Sequence, residues 1–177
     1  MMQLRLSGSG GQGVITAAII FAEAAVMEGK EAVQSQSYGP EARGGASKSE
    51  VIISDKAIYH PHVEIPDLVL SMTQQAADKY YGDLKKDGML VLDSDLVPNP
   101  PDFPNIVRIP ITKLAVEDVG KSLFANIVAL GALVRLTGIL DLNVVKECVA
   151  ERVPPHTVEQ NMKALQVGYD AAAKAVA

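Results

Sequence analysis

The sequence predicts an α/β fold: a single open sheet, mostly parallel, with a helical C-terminal third. Three observations carry that prediction. Leu4-Arg5-Leu6 runs into a glycine-rich turn, an Ala-rich helix and a second strand, the order of a βαβ unit. Short apolar runs at Asp67–Ser71, Met89–Asp93 and Ile106–Ile109 have the length and composition of buried strands. From Thr112 onward the spacing of apolar residues is helical throughout.

The elements follow in order. The first strand ends at Gly8-Ser9-Gly10-Gly11-Gln12-Gly13, and a helix runs from Val14 to Glu28 with Gly29 as its stop. Glu31–Ser35 reads as the second strand, which the βαβ pattern places parallel to the first through a right-handed crossover. Gln36–Ser47 is a polar, glycine-rich loop, and Lys48–Ser54 a third strand. The strand Asp67–Ser71 leads into a helix from Thr73 to Tyr81. The strands at Met89 and Ile106 bring the sheet to about five or six, near the usual mean. Helices are expected over 112–119, 122–137, 143–151 and 155–175, with Asn143 capping the third and Pro154-Pro155 separating the last two.

At 177 residues, with no repeat, low-complexity tract or long linker, the chain reads as one domain over 1–177. It carries 16 Lys+Arg against 21 Asp+Glu, a formal charge of -5, which argues against a nucleic-acid partner. A lone cysteine, Cys148, excludes a disulfide framework and an iron–sulfur cluster held by this chain alone. Met1–Leu6 is too short for a signal peptide, and Leu123–Leu136 is broken by Asn126, Gly131 and Arg135. The expectation is a cytoplasmic protein with no membrane association.

Two helices are apolar on more than one stripe. Val14–Met27 carries Ile15, Ala18, Ile19, Phe21, Ala22, Ala25 and Val26; Leu123–Leu136 carries Phe124, Ile127, Val128, Leu130, Leu133 and Val134. A helix apolar all round must be covered on both sides. Little chain is left over for that, so another subunit is the expected cover.

Gly8, Gly10 and Gly13 fit G-x-G-x-x-G in its required context, after a strand and opening a helix, which makes the sheet Rossmann-like. Without Cβ atoms the backbone can turn tightly and approach a ligand, and helix-start N–H groups suit an anion. The same glycines also serve a plain tight turn. A dinucleotide site further needs an acid at the end of the second strand. Here that strand ends Val33-Gln34-Ser35-Gln36-Ser37, which disfavours a nicotinamide-dependent dehydrogenase. No Gly-Lys-Ser/Thr follows Gly13, so there is no Walker A loop.

The second constellation, Ser37-Tyr38-Gly39-Pro40-Glu41-Ala42-Arg43-Gly44-Gly45-Ala46-Ser47, emerges at the same carboxyl edge. Arg43 beside two glycines offers a planar donor fork for a carboxylate or phosphate; a surface loop with a Glu41–Arg43 pair is the plainer reading. His60-Pro61-His62 has two metal-ligand types but lacks a third, and reads as a turn. Cys148 reads as a core residue, His156 as part of a helix's first turn, and Asp93 and Asp95 as turn formers. There is no nucleophile–base pair, metal-ligand spacing or carboxylate dyad.

Taken together, Gly8–Val14 with Thr16-Ala17, then Tyr38–Ser47, then Asn126-Ile127-Val128-Ala129-Leu130-Gly131-Ala132 resemble the gamma subunit of the 2-oxoacid:ferredoxin oxidoreductases. That family includes the pyruvate and 2-oxoglutarate enzymes, and the likeness spans residues from about 3 to 170. The resemblance implies a complex that oxidatively decarboxylates a 2-oxoacid with coenzyme A, giving acyl-CoA, carbon dioxide and reduced ferredoxin. It implies that thiamine diphosphate, Mg and iron–sulfur clusters are carried by alpha, beta and, where present, delta subunits, with none held by this chain alone. By motif, Gly8, Gly10, Gly11, Gln12, Gly13, Tyr38, Gly39, Glu41, Arg43, Gly44, Gly45 and Asn126 would lie at the subunit and coenzyme A-facing contact, and no residue here is expected to be catalytic. The tyrosine-to-glycine run looks more like that of the 2-oxoglutarate and branched-chain enzymes than that of the indolepyruvate one. The alternative is a stand-alone nucleotide- or CoA-binding Rossmann-like module.

Overall fold

The computed structural model describes residues 1–37 and 45–177. Among the described residues six strands, β1 (Met2–Ser9), β2 (Glu31–Gln36), β3 (Ala46–Ser54), β4 (Leu68–Ser71), β5 (Met89–Asp93) and β6 (Ile106–Ile109), form one mixed sheet in the order β2-β3-β1-β4-β5-β6. Six helices accompany them: α1 (Val14–Met27), α2 (Gln74–Tyr80), α3 (Ile111–Leu114), α4 (Ala125–Thr137), α5 (Leu142–Arg152) and α6 (Val158–Ala175). No helix among the described residues is long and apolar enough to cross a membrane.

The expected α/β class and helical C-terminal third are present, with one correction to the topology. β1 and β2 do not pair. β3 lies between them, antiparallel to both, so β2 still runs in β1's direction while β3 alone is reversed. Composition explains the insertion. β2 (Glu31-Ala32-Val33-Gln34-Ser35-Gln36) has no fully buried residue and suits an edge, whereas Val51, Ile52 and Ile53 of β3 are buried and need sheet neighbours on both sides. Antiparallel neighbours also need only a short connection, not a crossover.

The larger apolar cluster covers one sheet face. There Leu4, Leu6, Val51, Ile53, Leu68 and Leu70 meet α1, α4 and α6. On the other face Val69, Leu90 and Leu92 pack with Ala77, Leu84 and Val97 near α2.

The expected need for a partner to cover α4 is overturned. α4 lies between α1 and α6 and is buried from Ile127 to Val134 without a break. Two glycines permit that contact. A Cβ at Gly168 would lie 1.8 Å from the Val128 carbonyl oxygen, and one at Gly131 would lie 2.0 Å from that of Leu165. The helix backbones therefore touch, and α6 of the same chain supplies the cover. α1 is covered in part by α5, leaving Val26 and Met27 exposed near its end.

Other local differences have plain causes. The helix expected over 112–119 is one α turn that widens into a π turn at Ala115–Val119, where the N–H groups of Gly120 and Lys121 both reach the Ala115 carbonyl. The cap of α5 is Asp141, not Asn143: the Asp141 carboxylate accepts the Asn143 N–H at 2.7 Å from an extended backbone, as an N-cap requires. The segments expected over 122–137 and 155–175 each begin with a 3₁₀ turn, at Ser122–Phe124 and Pro155–Thr157.

Candidate functional site

The carboxyl end of β1 is the point where the chain's connections diverge. β1 is flanked by β3 on one side and β4 on the other, and the route from β1 leads first to β2 and β3, later to β4, β5 and β6. Such switch points form crevices at the strand ends of open α/β sheets. The glycine-rich turn occupies this one.

Within the turn each residue has a definite task. Gly8 still belongs to β1, where a Cβ would stand 2.4 Å from the Gln12 side-chain oxygen. That oxygen accepts the Ser9 N–H at 2.7 Å, and the Gln12 amide donates to the Met72 carbonyl at 3.5 Å, so Gln12 staples the turn to the end of β4. The left-handed residues are Gly11 (φ 90°) and Gly13 (φ 77°). Gly11 is exposed with nothing near its absent Cβ, so conformation alone demands glycine there. Gly13 caps α1 without any side-chain cap, and no acidic residue sits in the first turn to offset the positive helix end.

The first and third of the stretches that carry the family resemblance meet here, together with the described end of the second. Gly10 donates its N–H to the Gly45 carbonyl at 3.3 Å, joining the turn to the start of β3. Asn126, in the first turn of α4, donates from its amide to the Gly13 carbonyl at 3.3 Å. A Cβ on Gly13 would lie 2.6 Å from that same Asn126 nitrogen. Asn126 and Gly13 are 113 positions apart, so the fold brings together what the sequence could only suggest separately. Tyr38, Gly39, Glu41, Arg43 and Gly44 lie outside the described residues. Ser37 donates its N–H to the Lys48 carbonyl at 3.3 Å.

Behind the site lies a polar cluster that sequence reasoning missed. Arg5, 4% exposed, donates to Glu50 at 2.8 Å, to both carboxylate oxygens of Asp83, and to the Tyr80 carbonyl at 3.0 Å. Lys48 also reaches Glu50, at 3.1 Å. Burial works against the Asp83 carboxylate, but the hydrogen bonds and charge of Arg5 outweigh it and hold that carboxyl below its usual range. The signal was available: a lone Arg between Leu4 and Leu6 in a central strand must find a buried partner.

The remaining candidates have structural roles. Asp93, fully buried, accepts the N–H groups of Asp95, Leu96 and Thr112 and the Thr112 hydroxyl, which is turn and cap chemistry. Cys148 is buried with its sulfur 3.1 Å from that of Met27, and burial pushes the thiol pKa up, away from reactivity. His60, His62 and His156 are exposed. Among the described residues no group of three or more His, Cys, Asp or Glu is placed to hold a metal ion. A groove of about 780 Å³ runs along the C-terminal half of α1 beside β2 and α5, away from the glycine-rich turn.

Among the described residues the site offers a helix start without a side-chain cap and the amide side chains of Gln12 and Asn126. Residues 3–171 match the family model described as pyruvate ferredoxin/flavodoxin oxidoreductase. The chain belongs to this family. A 2-oxoglutarate synthase subunit KorC from Methanocaldococcus jannaschii is 47% identical over 174 residues, covering 96% of this chain and 93% of the relative. The crystal structure of a keto/oxoacid ferredoxin oxidoreductase gamma subunit from Geobacter sulfurreducens is 50% identical, with a TM-score of 0.90 over 99% of this chain and all of the other. The 2-oxoglutarate:ferredoxin oxidoreductase from Magnetococcus marinus, solved with 2-oxoglutarate, coenzyme A and succinyl-CoA bound, shares the fold at a TM-score of 0.86 and 23% identity. There the likeness covers 98% of this chain but 31% of the longer one. The family's members matched here over nearly their whole length are subunits of oxidoreductase complexes, which supports the subunit reading over a stand-alone binding module.

Proposed function

We propose that this chain, as one domain over residues 1–177, is the gamma-type subunit of a cytoplasmic 2-oxoacid:ferredoxin oxidoreductase, with 2-oxoglutarate the favoured substrate. The complex would convert the 2-oxoacid and coenzyme A to acyl-CoA and carbon dioxide and pass the electrons to ferredoxin. Alpha and beta subunits, with a delta subunit where present, would carry thiamine diphosphate, Mg and the iron–sulfur clusters. The observation that carries this reading is the match along nearly the whole chain to separate subunits of such enzymes.

Within the complex, the β1–α1 turn and the Tyr38–Gly45 run would face the coenzyme A side of the cavity. Gly11 and Gly13 keep the turn in a left-handed backbone, and the positive end of α1, which has no side-chain cap, would be the part that meets an anion. Gln12 and Asn126 fix the two ends of that turn. Arg43 would supply the charged fork, and hydrogen bonds to charged groups contribute about 1.5–3 kcal/mol.

Arg43→Ala in the reconstituted complex is therefore expected to raise KM for coenzyme A about tenfold or more. KM for the 2-oxoacid and the melting temperature of the free chain should barely change. Steady-state kinetics with each substrate varied in turn provides the check. An unaltered coenzyme A dependence would remove this site from the coenzyme side.

A further inference from the structure

The sides of the glycine-rich turn are held by different means. Gln12 pins one side to β4 and Asn126 pins another to α4. The third side, the Gly45–Lys48 stem of β3, is held from below by Tyr80 at the end of α2. Its hydroxyl donates to the Ala46 carbonyl at 3.1 Å, next to the Gly45 carbonyl that receives Gly10. The Lys48 ammonium lies over the Tyr80 ring, 5.9 Å from its centre.

These contacts close on themselves. The Tyr80 carbonyl accepts from Arg5, Arg5 donates to Glu50, Glu50 accepts from Lys48, and Lys48 returns to the Tyr80 ring. The circuit joins β1, β3 and α2. The Arg5 and Glu50 side chains in it are 5% and 8% exposed. Buried ion clusters of this kind add little net stability compared with apolar packing; what they can supply is a single geometry. A phenol adds to that circuit only its hydroxyl bond and its ring, so Tyr80 is the member whose polar contact can be removed without leaving a buried charge alone.

We propose that Tyr80 is a positioning residue: through Ala46 and Lys48 it fixes the β3 stem against the glycine-rich turn, and so sets the geometry of the coenzyme A-facing surface. This rests on the function proposed above. The Tyr80 ring also lies under the Lys79 ammonium, 5.2 Å from its centre, but the hydroxyl reaches the stem, so removing it acts on the turn through Gly45–Lys48.

Tyr80→Phe keeps the ring and removes the hydroxyl. In the reconstituted complex KM for coenzyme A should rise about fivefold, the factor that loss of one hydrogen bond carries, with kcat and KM for the 2-oxoacid unchanged. In the full-length free chain, amide hydrogen exchange at residues 45–48 should quicken about tenfold while the core strands keep their protection. Arg43→Ala measured alongside separates the failures. If it raises the coenzyme A KM and Tyr80→Phe does not, the positioning role is wrong and the site reading stands. If neither does, the site reading fails and this proposal falls with it. Equal loss towards both substrates, or failure to assemble, would also overturn it, because that is the behaviour of a residue needed only for the fold.

Discussion

Gly168→Ala is expected to lower the melting temperature of the chain by about 5–10 °C, from a net cost of roughly 2–3 kcal/mol in a protein of this size. The added methyl would occupy a point 1.8 Å from the Val128 carbonyl oxygen and 2.7 Å from its carbonyl carbon. Both are backbone atoms of α4, so no rotamer change can relieve the clash. The helices must separate, loosening Ile127, Leu130 and Leu133 from the largest apolar cluster. Alanine does favour the helix by about 1 kcal/mol over glycine, which lessens the loss without cancelling it. The contrast is Gly82→Ala, whose Cβ would meet nothing within 4 Å. Calorimetry on the two variants should separate them clearly. A Gly168→Ala protein as stable as the parent would mean that the helices do not meet through their backbones.

Gly13→Ala should be more damaging to function than to folding. At φ 77° an alanine is strained by about 1–3 kcal/mol, and its methyl group would displace the Asn126 amide that lies 2.6 Å away. The hydrogen bond that ties α4 to the Gly13 carbonyl would go with it. The free chain should still fold, with a Tm lower by about 3–10 °C. Reconstituted with its partners, it should assemble poorly or turn over at a small fraction of the parental rate. Size-exclusion chromatography and a ferredoxin-reduction assay on the same preparation would show both effects. Gly11→Ala meets no neighbouring atom and should show the strain alone.

Much of the fold was legible because the informative residues act locally. The alternation into Leu4-Arg5-Leu6, the glycines before Val14 and the short apolar runs each define an element from their own neighbours. What escaped was pairing over distance. Nothing near Glu31–Gln36 says that β3 will be inserted beside β1; the hint is only that β2 is too polar to lie inside the sheet. The cover of α4 escaped for a related reason. An all-round apolar helix was read as a docking surface, yet Gly131 and Gly168, each costly in a helix interior, were marks of two helices built to touch.

The site divides along the same line. Gly8 to Gly13 could be placed from spacing alone, and the resemblance pointed to Asn126, but the contact between Asn126 and Gly13 exists only in three dimensions. Arg5 carried a readable signal, a charge in an apolar strand, although Asp83 and Glu50 could not be named as its partners from the sequence. The positive φ of the turn falls at Gly11 and Gly13, the positions where added side chains are now expected to matter through strain.

The central claim is that this chain contributes a shaped surface to an enzyme whose reactive groups belong to its partners. Its most direct test is 2-oxoacid- and coenzyme A-dependent reduction of ferredoxin, measured for the purified chain alone, for the alpha and beta chains without it, and for all three together. The account predicts full activity only from the complete set, none from this chain alone, and a severe deficit in coenzyme A use when it is left out. Turnover by the isolated chain, or undiminished turnover in its absence, would contradict it.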